Sequence, residues 1–305
     1  MLRRIGLEHL THAPVCCDAP EQVSIWGASE PAARSHIFSP YGSGIHIDRR
    51  RLDAALVEAA RDAGADVRVG RGVRFIPDAR SGHIVDLSEA RAHCRIAVLA
   101  TGRCGGGLGL PYARRYLDRQ VAVAGRFVAR NGYSDSRMLV EAIPGGWFYL
   151  AGLPDNSAMA VLLTLADLVP AQRRERLRWY VEALARTSLI RRALNGCALP
   201  QDVSVTNARA SVARPGVGDD WLAIGDARIA LDPLTGRGLI WALEDAVATV
   251  QLLTAASWPE LADRLRAQTS RELESYLDQR SRIYATERRF GHDAYWATMR
   301  QEAPI

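Results

Sequence analysis

The sequence predicts an α/β fold in which a mostly antiparallel β-module is inserted into a parallel α/β module, with helices at the C-terminus. Three observations predict it. A one-sided helical stripe followed by alternating valines occupies 48–70, short β-runs joined by tight turns fill 119–164, and an apolar strand ending at Gly225-Asp226 restores α/β character before another apolar helix.

Residues 1–44 carry Pro14, Pro20, Pro31 and Pro40 without a sustained period and read as irregular, with Ser39-Pro40-Tyr41-Gly42-Ser43-Gly44 as a loop. Leu52, Ala55, Leu56, Ala59, Ala60 and Ala63 then fall on one helical stripe, which Gly64 stops. Val67 and Val69 alternate with Asp66 and Arg68 and predict a short strand, so 48–70 reads as the second half of a βαβ crossover. Residues 95–100 predict an apolar strand running into Thr101-Gly102-Arg103 and the glycine-rich turn 105–109. Runs at 121–128, 138–143, 147–150 and 158–164, with Gly145-Gly146 as a tight turn, predict an antiparallel sheet. Residues 170–196 read as helical and 203–212 as another strand. Trp221-Leu222-Ala223-Ile224 predicts a buried strand, 239–253 an apolar helix, and Ser257-x-x-Glu260 a capping box opening a long final helix. This pattern assigns 1–110 and 215–255 to one discontinuous α/β module, 111–214 to a substrate-binding sheet module and 256–305 to a C-terminal helical segment.

Composition narrows the function classes. Hydrophobic residues at 48% and charged residues at 24% are those of a globular chain and argue against disorder. No apolar run approaches the roughly 18–20 residues that cross a bilayer, and Glu8 and His9 interrupt the basic start. Neither a membrane span nor a secretory signal is predicted, and a cytoplasmic enzyme is the expectation. Cys16, Cys17, Cys94, Cys104 and Cys197 have no spacing that would hold zinc or an iron–sulfur cluster, so reduced thiols and no metal are expected. The net charge of +5 comes from arginine, since the chain has no lysine. Acidic residues are interspersed and no recognition motif appears, so the arginines read as solvated helix faces rather than a nucleic-acid surface.

The chemistry concentrates in Trp221-Leu222-Ala223-Ile224-Gly225-Asp226-Ala227 followed by Asp232-Pro233-Leu234-Thr235-Gly236-Arg237-Gly238. A carboxylate at a strand end accepts hydrogen bonds from a chain of hydroxyls. Glycines at a helix start let backbone N–H groups approach an anion or a polar ring edge, where the helix dipole favours negative charge. The plain structural alternative is a strand–loop–helix with Asp226 as a cap.

This block resembles the second flavin-binding motif of the p-hydroxybenzoate hydroxylase-like flavoproteins, which include aromatic monooxygenases and flavin-dependent halogenases. The resemblance implies a Rossmann-like FAD-binding module with FAD as cofactor. It places Asp226 at the ribityl chain and Pro233, Gly236 and Gly238 beside the isoalloxazine, with Gly225 among the cofactor-binding residues. Asp48-Arg49-Arg50-Arg51-Leu52 is similar to the family's arginine-x-x-leucine step and implies that Arg49 contacts the ribityl-phosphate side; a solvated basic turn is the alternative. Val98-Leu99-Ala100-Thr101-Gly102-Arg103 resembles the step that passes the dinucleotide, which implies roles for Thr101 and Gly102, and Val73 takes the adenine position. The family opens with a strand, a G-x-G-x-x-G turn and a helix that hold the pyrophosphate. No such sequence occurs before residue 45, so the module is expected to be incomplete at its N-terminus, and FAD binding by this chain is an open expectation.

On the substrate side, Gly145-Gly146-Trp147-Phe148-Tyr149-Leu150 resembles the aromatic strand of halogenase-like and hydroxylating members. Trp147 and Tyr149 would share one face and Phe148 the other, so a stacking role for Trp147 and Tyr149 stands beside ordinary sheet packing. The W-x-W-x-I-P signature and catalytic lysine of the tryptophan halogenases are missing, which points away from a haloamine route. His46 reads as a structural histidine, and no general acid or base is assigned. The resemblance implies a monooxygenase that hydroxylates an aromatic substrate, small or protein-borne such as tryptophan, through a C4a-hydroperoxyflavin, with a separate flavin reductase or NAD(P)H as donor. A reductase or dehydrogenase of the same fold, or a non-catalytic homologue, remains open.

Overall fold

The computed structural model describes residues 1–12, 14–36, 39, 42–70, 73–78, 82–86, 91–106 and 108–301. Of the loop expected at 39–44, Pro40 and Tyr41 lie outside the described residues, as does Gly107 of the glycine-rich turn.

The first 44 residues are more ordered than their prolines predict. They hold β1 (Cys16–Ala19), β2 (Glu21–Ile25) and β3 (Ala32–Ser35). β1 pairs antiparallel with β4 (Gly44–Ile47), and β2 pairs with β3. Pro20 and Pro31 lie between these strands, at positions where a missing N–H breaks no ladder, so they punctuate the sheet rather than prevent it. The sequence reading missed these strands because each is only four or five residues long, too short to show a period.

Helix α1 (Arg49–Asp62) follows, capped by Asp48, whose Oδ1 accepts from the amides of Arg50 (3.0 Å) and Arg51 (3.3 Å). Gly64 ends it at φ +90°, a left-handed backbone that costs a side chain energy and glycine little. The strand predicted at Val67 and Val69 does not form. Among the described residues nothing pairs with 65–70, and Val69 is 88% exposed, because extended backbone becomes a strand only beside a neighbour.

β5 (Arg74–Asp78), β6 (Gly82–Asp86) and β7 (Arg91–Cys94) make a small antiparallel sheet. β8 (Ala97–Leu99) is apolar and pairs with a strand far ahead in sequence. After β9 (Arg114–Tyr116) come β10 (Gln120–Ala129), β11 (Met138–Ile143), β12 (Gly146–Gly152) and β13 (Ser157–Leu165). Then follow α2 (Arg173–Ala185), α3 (Leu189–Ala193), β14 (Cys197–Ala198), β15 (Ser204–Asn207), β16 (Ser211–Ala213), β17 (Trp221–Ala223) and β18 (Ile229–Ala230). Three helices close the chain: α4 (Gly238–Ala255), α5 (Trp258–Thr286) and α6 (Ala294–Arg300).

The predicted antiparallel runs form the centre of an eight-stranded sheet ordered β14-β10-β13-β12-β11-β2-β3, with β15 also on β10. β2 joins it in parallel with β11, so the N-terminal segment extends the sheet built mainly from 111–214. Helices α2 and α3 cover one face, where Phe148, Leu150, Leu162 and Tyr180 pack. The C-terminal helices cover the other, where Trp147, Leu163, Tyr284 and Trp296 pack. A central strand covered on both faces loses its polar alternation, which is why β13 is almost continuously apolar. Glu141 on β11 is buried and accepts from the backbone amides of Ser188 (2.6 Å), Leu189 (3.0 Å) and Ile190 (3.1 Å), pinning the start of α3 to the sheet.

Two further expectations are corrected. The strand predicted at 203–212 is two strands in different sheets, β15 on β10 and β16 between β9 and β18, because the chain turns at 208–210 to pass between layers. Ser257 does stand at the N-cap of α5, but its side chain makes no capping bond; Pro259 in the first turn supplies the preset helical φ instead.

The parallel pair β17–β8 is held to the helices by a buried ion pair. Arg228 and Asp245 have side chains 1% and 0% exposed, and the guanidinium binds both carboxylate oxygens. Arg228 also donates to Thr269 Oγ1 (3.0 Å), and Asp245 Oδ2 accepts from the amide of Gly225 at 2.7 Å. Removing one partner leaves a buried charge alone, so Asp245→Ala is expected to destabilise the fold by about 3–5 kcal/mol. Urea unfolding of the variant checks this; a loss under about 1 kcal/mol would mean that the pair is dispensable.

Candidate functional site

The candidate site is built where two parallel strands end together. β8 and β17 run in register, Ala97 opposite Trp221 and Leu99 opposite Ala223, and the amide of Ile224 adds a bond to Leu99 O at 2.9 Å. Thr101-Gly102-Arg103 therefore leaves β8 beside the point where Gly225-Asp226 leaves β17. A crevice at the carboxyl ends of parallel strands is where ligands bind in α/β sheets.

Gly225 has φ +55°, and a Cβ there would lie 3.3 Å from the Cβ of Ala242 on α4. The glycine thus permits both the turn and the close approach of strand end to helix. Beyond it, Asp226 meets three arginines. Arg103 Nε lies 3.1 Å from Asp226 Oδ2. Arg114 donates to Asp226 O (2.8 Å) and Gly102 O (2.7 Å), tying the two strand ends together. Arg49 adds its field from α1 while its side chain pairs with Asp53 at 3.3 Å. Burial nevertheless raises the Asp226 carboxyl above its usual range, with Arg103, Arg114 and Arg49 pulling the other way. Two buried oxygens here, Asp226 Oδ1 and Thr101 Oγ1, have no hydrogen-bond partner among the described residues. Orphaned buried oxygens are rare and mark a place where a polar group is wanted.

The predicted glycine loop lies at the start of α4. Asp232 is buried and its Oδ1 accepts from the amide of Leu234 at 2.8 Å, which shapes the turn Pro233–Thr235. Gly236 closes the turn at φ +61°, and Gly238 opens α4 without a side-chain cap, so its first-turn amides are open to an acceptor. Leu52 and Leu56 of α1 pack with Leu239 and Leu243 of α4. That contact brings the helix that begins with Arg49 against the one that begins with Gly238.

Thr101, Gly102, Gly225 and Asp226 thus cluster at the strand ends, and Pro233, Gly236 and Gly238 line the adjoining helix start. Val73 stands apart, 37% exposed just before β5. Trp147 and Tyr149 do share one face of β12, with Phe148 on the other against Tyr180. Trp147 is 1% exposed, enclosed by Trp26 and by Tyr284, whose hydroxyl accepts from its Nε1 at 3.2 Å. Tyr149 stays half-buried, and Leu234 of the glycine loop packs against the same cluster. His46 binds Ser136 O at 3.1 Å through Nε2, and burial lowers its pKa, as suits a structural histidine.

Sequence reasoning missed Arg103 and Arg114 as site residues. Arg103 directly follows the Thr101-Gly102 step and was legible by position alone. Arg114 follows Pro111-Tyr112-Ala113, which carries no signal; only the pairing of β9 with β16 brings it in.

Behind the loop lies a second carboxylate. Burial and the neighbouring Asp232 push Asp118 up to about 6, against the opposing pull of Arg280. This rise on folding means the native chain holds a proton that the unfolded chain has released. The stability linked to Asp118 is therefore full below its usual value of 3.8 and is lost as the pH climbs to about 6. Asp118→Asn should abolish that loss, so the variant's unfolding free energy relative to the parent should improve from about pH 4 to about pH 7. Urea melts at both ends of the range test it, and a difference independent of pH would refute it.

No protein-family model matches the chain. Among curated proteins it is 23% identical over 289 residues to the putative FAD-dependent oxidoreductase LodB of Marinomonas mediterranea, covering 92% of this chain and 78% of LodB. It is 29% identical over 249 residues to menaquinone reductase of Mycobacterium tuberculosis, covering 74% of this chain but only 59% of that protein. Among solved structures, the peptidyl tryptophan dihydroxylase QhpG, essential for tryptophylquinone cofactor biogenesis, superimposes with a TM-score of 0.77 at 24% identity. That match covers 98% of this chain and 67% of QhpG. Flavin-dependent halogenases share the fold as well, one of them at a TM-score of 0.84.

Proposed function

We propose that this chain, which has the fold of the flavin-dependent hydroxylases and halogenases, is an FAD-dependent oxidoreductase and acts as a monooxygenase on an aromatic substrate. The observation that carries the reading is the pair of orphaned buried oxygens, Asp226 Oδ1 and Thr101 Oγ1, one beyond the end of each of two paired parallel strands. A polyhydroxyl chain supplies the donors that both lack. A hydroxyl donated to Asp226 also favours its charged form, offsetting the burial that raises its pKa.

In this reading Asp226 and Thr101 hold the ribityl chain, Arg49 faces its phosphate side, and Pro233, Gly236 and Gly238 lie against the isoalloxazine edge. The start of α4 contributes open amides and a positive dipole end, which favour negative charge there. Val73 takes the adenine side. Bound flavin would supply the redox and oxygen-activating chemistry. The protein's own work is to orient the ring, to exclude water, and to present a substrate ring from the aromatic side of the sheet. Tyr149 is the better placed of the two aromatic residues for that contact, because Trp147 is already enclosed by its neighbours.

The absence of lysine favours hydroxylation over halogenation by a haloamine route. The likeness to QhpG supports a protein-borne tryptophan as substrate; the electron donor in this reading is a separate flavin reductase or NAD(P)H. The relation to menaquinone reductase supports a second reading, flavin-linked reduction of an unsaturated ring or lipid without oxygen insertion.

Titration of the purified chain with FAD tests the cofactor. A shifted visible flavin band is expected on binding, and Asp226→Ala should weaken affinity about 10- to 100-fold, the loss of one or two charge-assisted hydrogen bonds. Equal affinity in the variant would remove Asp226 from the site. With reduced flavin supplied, incorporation of labelled oxygen into a tryptophan peptide separates the two activities: incorporation supports the monooxygenase, and substrate reduction without label supports the reductase.

A further inference from the structure

The loop assigned to the flavin is anchored from behind by residues outside the motif that marks it. Asp232 is 1% exposed. While its Oδ1 shapes the turn, its Oδ2 accepts from Gln120 Nε2 on β10 at 2.6 Å and from the Tyr284 hydroxyl on α5 at 3.0 Å. Arg280 Nε stands 3.5 Å from the same oxygen, and the amide of Asp232 donates to the Tyr276 hydroxyl at 3.1 Å.

Donor counting fixes the direction of these bonds. The Tyr284 oxygen accepts from Trp147 Nε1, and its single proton has its nearest acceptor in the carboxylate at 3.0 Å, against 3.3 Å to the Tyr295 oxygen and 3.5 Å to Gln120 Oε1. Tyr295 donates to Gln120 Oε1 at 2.8 Å, which leaves the amide nitrogen of Gln120 aimed at Asp232. Both phenols are fully buried, and burial holds each well above the ordinary tyrosine range, so they remain donors at neutral pH. The sheet and α5 therefore converge on one carboxylate at the head of the glycine loop.

We infer that Tyr284 and Gln120 are positioning residues for the 232–238 loop. By fixing the Asp232 carboxylate they fix the turn Pro233–Thr235 and the first turn of α4, and hence where the loop meets a bound ring. The inference deepens the proposed function and rests on the FAD reading for the identity of that ring.

Hydrogen exchange over 231–238, followed by mass spectrometry in the parent, Tyr284→Phe and Tyr295→Phe, tests the anchoring without cofactor. Exchange in Tyr284→Phe is expected to be about tenfold faster in this segment, the effect of losing one hydrogen bond to a charged group. Tyr295→Phe keeps the Gln120 and Tyr284 bonds to Asp232 and should change it much less. Should Tyr284→Phe fail to fold, Gln120→Met removes the other donor at similar volume and should loosen the same segment. The visible spectrum of bound FAD supplies the second readout: its band shape and position should shift in Tyr284→Phe, whereas a purely structural tyrosine would lower Tm and leave the spectrum unchanged. Unchanged exchange at 231–238, equal acceleration in the two phenol variants, or an unshifted spectrum would each overturn the inference. A parent that takes up no FAD would sink the cofactor reading instead, and exchange would still decide whether Tyr284 holds the loop.

Discussion

The arrangement of this molecule depends on one buried ion pair, Arg228 with Asp245. The two strands that end at the candidate site, β8 and β17, are three residues each and form a two-stranded sheet, to which the described chain adds one isolated bridge from Leu222 to Val217. Such a short parallel pair has little hold of its own. Arg228, just beyond β17, reaches across to Asp245 on α4 and on to Thr269 on α5, while Asp245 also takes the amide of Gly225. One guanidinium thereby joins a strand end and two helices. Its desolvation is offset because the carboxylate is bound by both nitrogens and the remaining donors find oxygens on α5.

The same residue type recurs wherever the layers meet. Arg103 and Arg114 bridge the two strand ends, and Arg280 lies between Asp118 and Asp232 at 5% exposure. The guanidinium suits these places because its planar fork of five donors satisfies several carbonyls or carboxylates at once and keeps its charge when buried. Composition alone read the arginines as solvated helix faces. That holds for pairs such as Arg264 with Glu260, but Arg228 and Arg280 are only 1% and 5% exposed.

The C-terminal helices act as a backing plate for the site. Tyr276, Arg280 and Tyr284 lie on the buried side of α5 and meet Asp232 and the aromatic face of the large sheet. Trp26, from the N-terminal segment that looked irregular, closes the same cluster, with its Nε1 donating to Ile283 O at 3.1 Å. The glycine loop is thus held between elements from three distant parts of the chain. Geometry at the loop is consequently set by residues that no flavin-binding motif contains.

Much of this was legible beforehand. Strong local periods predicted the helix at Arg49–Asp62, the strands of the central sheet and the helix after the glycine loop. The strand-end carboxylate with its glycines marked Gly225, Asp226, Pro233, Gly236 and Gly238 as a candidate site. Those features are local, because helical stripes, sheet alternation and left-handed glycines are decided within a few residues. The tertiary structure alone decided the rest: that 67–69 pairs with no strand among the described residues, that 203–212 divides between two sheets, that Trp147 is enclosed, that Arg114 joins the two strand ends, that Arg228 is buried against Asp245 and that Tyr284 meets Asp232. Each of these depends on which neighbour is present across space, and pairing partners and buried charges separated by tens to hundreds of residues leave no period in the sequence to read.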